Sequence, residues 1–209
     1  SRLLRLSIPL VRTHGFTREA LARSVLELPQ PEAHSQPLSD TAVSALFGSG
    51  DLARRTLIRA WLDDGIRHIQ SQPTGSTLSE VLHARLEYNE PVLQHLPEAF
   101  ALLASPAYGI IPLDPRPAIE HAFKVADEAC HVTGDASLQL AWHARRGSLA
   151  AIYTASELHQ LTSPKTACGF LDSLLDGSSV LESSMNEIGI FSSYFVKSCV
   201  GIVKSSGVL

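Results

Sequence analysis

Two Glu-x-x-His motifs, Glu80-Val-Leu-His83 and Glu128-Ala-Cys-His131, are the first residues of this chain whose types and spacing suit chemistry. Residues three apart share a helix face. Two such motifs, with a glutamate from each of two further helices, would build a di-iron carboxylate site inside a bundle. Against that reading, Glu80 follows Thr77 at the spacing of a capping box, and so short a motif arises readily by chance among nine histidines. No metal or other cofactor is therefore expected. The chain has no Gly-x-Ser-x-Gly, no P-loop and no Gly-x-Gly-x-x-Gly, so the signatures of acyl transfer and of nucleotide binding are missing. Cys130, Cys168 and Cys199 are scattered and odd in number, which argues against a disulfide framework or a zinc site. The remaining dense cluster is Trp142, His143, Arg145 and Arg146. It reads either as a core tryptophan beside solvated arginines or as a protein interface, where Trp and Arg are favoured anchors.

A second stretch suits contact with lipid. From Glu187 to Lys204, at about 100° per residue, Ile188, Phe191, Phe195, Cys199 and Ile202 share one arc, with Lys197 and Lys204 opposite. Such a helix either covers the protein's own core or lies flat in a membrane interface. The polar lead-in, Asp176 to Ser179 and Ser183-Ser184, reads as a flexible tether.

The elements that must position these residues are all helical. Pro9 interrupts a stripe of Leu3, Leu6 and Leu10, and His14-Gly15 closes it. Thr17 caps a helix with Leu21, Val25 and Leu28, PQPEAHSQP from Pro29 to Pro37 is a loop, and Ser39 caps Asp40 to Phe47. After Gly48-Ser49-Gly50, a long helix from Asp51 carries Leu57, Ile58, Trp61, Leu62, Ile66 and Ile69 inward. Further helices are expected from Thr77 to Leu86, from Glu98 to Ala104, after Asp114-Pro115 with Ile119, Ala122, Phe123, Val125 and Ala126, from Ala136 to His159, and after Ser163-Pro164 with Phe170, Leu171, Leu174 and Leu175. The total is about ten helices with no strand. Residues 1–180 make one domain, of which 1–70 resembles a degenerate helix-turn-helix of the tetracycline-repressor type. Residues 181–209 hold the lead-in and amphipathic helix.

The composition, 44% hydrophobic and 18% charged in 209 residues, is that of a globular domain with a substantial core. No apolar run is long enough to span a bilayer. The thiols suit a reducing compartment, cytosol or mitochondrial matrix. The first residues already read as helix, so any targeting segment is expected to lie outside the sequence. The helix-turn-helix resemblance raises a second reading, a transcriptional regulator binding DNA and a small ligand. Its recognition helix would be DTAVSALF, without Lys, Arg, Asn or Gln to bond base edges. The arginines lie on the first two helices and at Arg54, Arg55 and Arg59, where they either hold phosphates or form solvated faces. No nucleic-acid partner is expected.

Gly134-Asp135, Trp142, Arg145-Arg146, Leu149-Ala150-Ala151-Ile152-Tyr153 and Glu157-Leu158 closely resemble the ninth accessory protein family of coenzyme Q biosynthesis. His14-Gly15-Phe16-Thr17, Phe47-Gly48, Leu96-Pro97-Glu98-Ala99 and the closing GIVKSSG support the resemblance in the same order along the chain. It implies an all-α, tetracycline-repressor-like fold that dimerises and holds isoprenoid quinone lipids without catalysing a reaction. It also implies a peripheral place on the matrix side of the mitochondrial inner membrane, in aid of the di-iron demethoxyubiquinone hydroxylase. The family's last helix engages the membrane, matching Ile188, Phe191, Phe195, Lys197, Cys199, Ile202 and Lys204. Its partner patch matches Asp135, Trp142 and His143, with Arg145 and Arg146 beside them; His143 stands where the family has a tyrosine. Leu102, Leu103, Phe123, Ile152, Leu158, Phe170, Leu174, Phe191 and Phe195 are the expected lipid-cavity residues.

Overall fold

The computed structural model describes residues 1–32, 34–106, 113–135 and 140–182. All regular structure among them is helical, as the sequence predicts: α1 (Arg2–Ser7), α2 (Val11–His14), α3 (Arg18–Arg23), α4 (Asp40–Phe47), α5 (Asp51–Gln70), α6 (Leu78–Glu87), α7 (Leu96–Ala104), α8 (Arg116–Val132), α9 (Leu140–Thr162) and α10 (Ala167–Glu182). Short 3-10 turns cover Ser24–Glu27, Glu90–His95 and Pro164–Thr166.

The helix starts follow local chemistry. Thr17 accepts from the Ala20 amide and Ser39 from the Ala42 amide, each satisfying a donor that the first turn leaves open. Thr77 and Glu80 form the reciprocal capping box of α6. Gly48, at φ +108°, ends α4, and a Cβ there would lie 2.7 Å from the Leu52 side chain. Backbone conformation and crowding both select glycine.

Two compact units emerge, 1–67 with 89–118, and 68–88 with 119 onward. The first packs α1 to α4, most of α5 and α7 around Val11, Phe16, Leu21, Val43, Leu57, Ile58, Trp61 and Leu96. Phe16 meets Trp61 edge to face at 5.5 Å, the arrangement that aromatic quadrupoles favour. Its arginines brace the backbone. Arg18 donates to Asp40, to Ser44 and to the carbonyls of Gly48 and Gly50; Arg54 reaches the Phe16 carbonyl and pairs with Glu98; Arg55 donates to the Ser105 carbonyl at 2.7 Å, beyond the end of α7.

In the second unit α10 packs on α9 and α6, and the interior mixes apolar with charged residues. Arg85 of α6 is fully buried among His121 of α8 and Tyr153, Glu157 and Gln160 of α9. The Tyr153 hydroxyl donates to Glu157 at 2.5 Å, and an Arg85 guanidinium nitrogen lies 3.2 Å from His121 Nε2 and 3.9 Å from Glu157. Burial, then the nearby charges of Arg85 and Lys124, hold the His121 imidazole well below its usual range. The ring is neutral. A guanidinium only donates, so Nε2 accepts and the ring proton sits on Nδ1.

Three expectations are corrected. Ile66 is half-buried rather than inward. The inward face of α8 is His121, Ala122, Val125, Ala126, Ala129 and Cys130, while Ile119 and Phe123 are exposed. The polar run Asp176 to Ser179, expected as a tether, continues α10.

Candidate functional site

The cluster foreseen around Trp142 is assembled by the end of α8 and the first turns of α9. Gly134, at φ +70°, turns the chain after α8, and the Asp135 amide donates to the Cys130 carbonyl at 2.9 Å. This closing turn fixes Asp135. Arg146 donates to Asp127 at 2.6 Å and to Asp135 at 3.3 Å, and Arg145 lies 3.4 Å from the other Asp135 oxygen. Two carboxylates thus face two guanidiniums.

The Arg146 guanidinium also lies 4.0 Å from the Trp142 ring centroid, within cation–π range, and His143 meets that ring edge-on at 4.6 Å. Burial works against the charge of Arg146, yet the hydrogen bond to Asp127 and the neighbouring anionic groups raise its pKa. Arg146 is 7% exposed and Trp142 is 37% exposed. The buried arginine is a bracket and the tryptophan is the surface group it presents. The alternative of a core tryptophan beside solvated arginines does not describe this division of labour. Beneath the cluster, burial pushes the Cys130 thiol up, so Cys130 is a packing group rather than a nucleophile.

The Glu-x-x-His motifs do not converge. Glu80 is held in its capping box, with its pKa lowered by the Thr77 backbone and side-chain hydrogen bonds. Glu128 accepts from Gln70 at 3.1 Å. Among the described residues no three His, Cys, Asp or Glu side chains group as metal ligands do. One Ser–His–Asp grouping does occur: Asp172 of α10 accepts from Ser79 at 2.6 Å and lies 3.0 Å from His83 Nε2. The same ring nitrogen faces both Ser79 and Asp172, whereas a relay needs the two on opposite ring nitrogens. This grouping fastens α10 to α6.

The expected cavity residues fall in different settings. Ile152 and Leu103 are buried, Leu102, Leu158, Phe170 and Leu174 are half-buried, and Phe123 is exposed. Leu102 and Leu103 belong to the first unit and the others to the second. Phe191 and Phe195, with Ile188, Lys197, Cys199, Ile202 and Lys204, lie outside the described residues. No helix among the described residues is long and apolar enough to cross a membrane. Sequence reasoning missed Asp127, nineteen residues from its arginine, and the buried Arg85 network. It also missed the exposed Ile119 and Phe123, although α8 gave a signal: its second apolar arc, Ala122, Val125, Ala126 and Ala129, is built of small residues suited to close helix packing.

Fold and site together define an all-α protein whose best-built surface feature is a braced aromatic group beside a charge-balanced cluster. Residues 116–179, which cover α8, the cluster, α9 and most of α10, match the COQ9 family model. The chain is 28% identical over 164 residues to "Ubiquinone biosynthesis protein COQ9, mitochondrial" of Bos taurus, covering 75% of this chain and 49% of that protein. It is 26% identical over 204 residues to the Schizosaccharomyces pombe protein of the same name, covering 93% of this chain and 75% of that one. The Homo sapiens protein is 24% identical over 161 residues, 75% of this chain and 49% of its own length. The chain thus spans about half the length of the cattle and human proteins it matches.

Proposed function

We propose that this chain is an accessory protein of ubiquinone biosynthesis in mitochondria that binds isoprenoid quinone lipids and performs no catalysis itself. The observation that carries this reading is the COQ9 match over 116–179, the segment that contains the braced Trp142 cluster. The lipid is a demethoxyubiquinone-type intermediate, drawn from the matrix face of the inner membrane by the amphipathic stretch from Glu187 to Lys204. It passes to a di-iron hydroxylase docked on Asp135, Trp142, His143, Arg145 and Arg146. Two copies of the chain act together, doubling the membrane contact. A polyprenyl tail cannot be left in water, so such a pathway needs a carrier with apolar surface, and a tryptophan held at one angle by Arg146 is a rigid anchor for a partner.

Mass spectrometry of organic extracts from the purified protein, with a pull-down of the hydroxylase, tests both halves. An isoprenoid quinone in the extract and a Trp142→Ala variant that keeps the lipid but loses the hydroxylase would support the reading. Lipid-free protein would remove the carrier role, and undiminished pull-down by Trp142→Ala would remove the docking site.

A further inference from the structure

Seven arginines of the first unit fall into two sets. Arg18, Arg54 and Arg55 are spent on carbonyls and carboxylates of their own fold. Arg2, Arg5, Arg59 and Arg67 instead line an open cleft of about 500 Å³ between α1 and α5, with Asp63 the acid among the lining residues. Arg2 also pairs with Glu32 and Arg67 with Asp64, both at 2.6 Å. Arg5 and Arg59 are exposed and have no ion-pair partner among the described residues. Leu4, Ile8 and Ala60 supply apolar surface to the same cleft.

The α5 side of the cleft continues a longer stripe. Leu52, Thr56, Arg59, Asp63 and Arg67 recur at the spacing that keeps them on one helix face. Leu52 is 53% exposed, and Leu46, across the Gly48 turn, is 57% exposed. Exposed leucines at one end of this face, and the Arg5 and Arg59 guanidiniums beside Leu4, Ile8 and Ala60 in the cleft, match an amphiphile that joins an anion to hydrocarbon. Guanidinium forks suit phosphate oxygens. A nucleic acid offers the phosphates but gives the leucines no partner, and DTAVSALF has no Lys, Arg, Asn or Gln to bond base edges.

We infer that the α1–α5 cleft binds the phosphate headgroup of an anionic phospholipid, with Leu46 and Leu52 entering the acyl layer. The first unit thus makes a membrane contact of its own, separate from the one assigned to the terminal stretch.

Co-sedimentation of the full chain with phosphatidylcholine vesicles, with and without phosphatidylglycerol, tests this. Arg5→Gln with Arg59→Gln should weaken binding to the mixed vesicles by roughly ten- to thirtyfold at low salt, on the usual contribution of a surface arginine at an anionic bilayer. Binding to pure phosphatidylcholine should be unchanged. Leu46→Ser with Leu52→Ser should weaken binding at high salt as well. The Phe191→Ser, Phe195→Ser pair reports on the terminal stretch independently, so a result in which only that pair matters overturns the cleft and leaves the carrier reading standing. Equal binding by wild type and the arginine variant overturns it too. Glycerol phosphate competing as well as dihexanoyl phosphatidylglycerol would reassign the cleft to a soluble phosphate ester. A DNA duplex retained by wild type and lost by the arginine variant would reassign it to nucleic acid.

Discussion

The two units solve the same problem, a stable helical interior, with different chemistry. The first buries apolar side chains and turns several of its arginines outward or onto backbone carbonyls at its edges. The second buries an arginine, a histidine, a tyrosine and a glutamate together in its core. An apolar interior is specified by volume, and many residue sets fill it. A buried ionic network is specified by partners, because any member left alone keeps its desolvation cost. The first unit is therefore the one in which substitutions should be tolerated by size, and the second the one in which they should be judged by charge and hydrogen bonding.

Five substitutions put this contrast at risk. Arg85→Met nearly preserves length but strands Glu157 inside the second unit, and urea unfolding should show a loss of about 3–5 kcal/mol. Adding Glu157→Gln should recover part of it, since the amide still accepts from Tyr153; a double variant no better than the single would break the contrast. Leu57→Ala in the first unit should cost about 3 kcal/mol through the cavity alone, with no dependence on pH. Tyr153→Phe removes one donor to the buried Glu157 and should cost about 1–3 kcal/mol. Thr77→Ala, which opens the capping box of α6, should cost only about 1 kcal/mol.

Acidity sharpens the same contrast. His121 has its pKa depressed in the folded state from the ordinary 6.5. The unfolded chain therefore binds the proton first as pH falls, and stability is lost on going below about 6.5. Unfolding midpoints measured against pH should show this slope in wild type and a flatter one in His121→Gln. An identical slope in the variant would place the acid sensitivity elsewhere.

Much of the helix pattern was legible because its punctuation is local. Thr17, Ser39 and the Thr77–Glu80 pair each act within one turn, and a sequence window contains everything they need. The residues that misled were those whose environment is set by distant segments. Arg85 went unmarked because the partners that bury it lie on α8 and α9, far along the chain. Phe123 reads as core until α8 turns its alanines inward. At the candidate site the sequence marked Trp142 and Arg146 as a cluster. That Arg146 is the bracket depends on Asp127 and Asp135, from another helix and its closing turn.

The pairing of Asp127 and Asp135 with Arg145 and Arg146 leaves that surface with no net charge to project into solvent. A molecule approaching Trp142 is not drawn in from afar, so its encounter rate should stay near the unsteered range, about 10⁵–10⁶ M⁻¹s⁻¹, and change little with ionic strength. How long the two remain together is then decided by the fit against one indole ring.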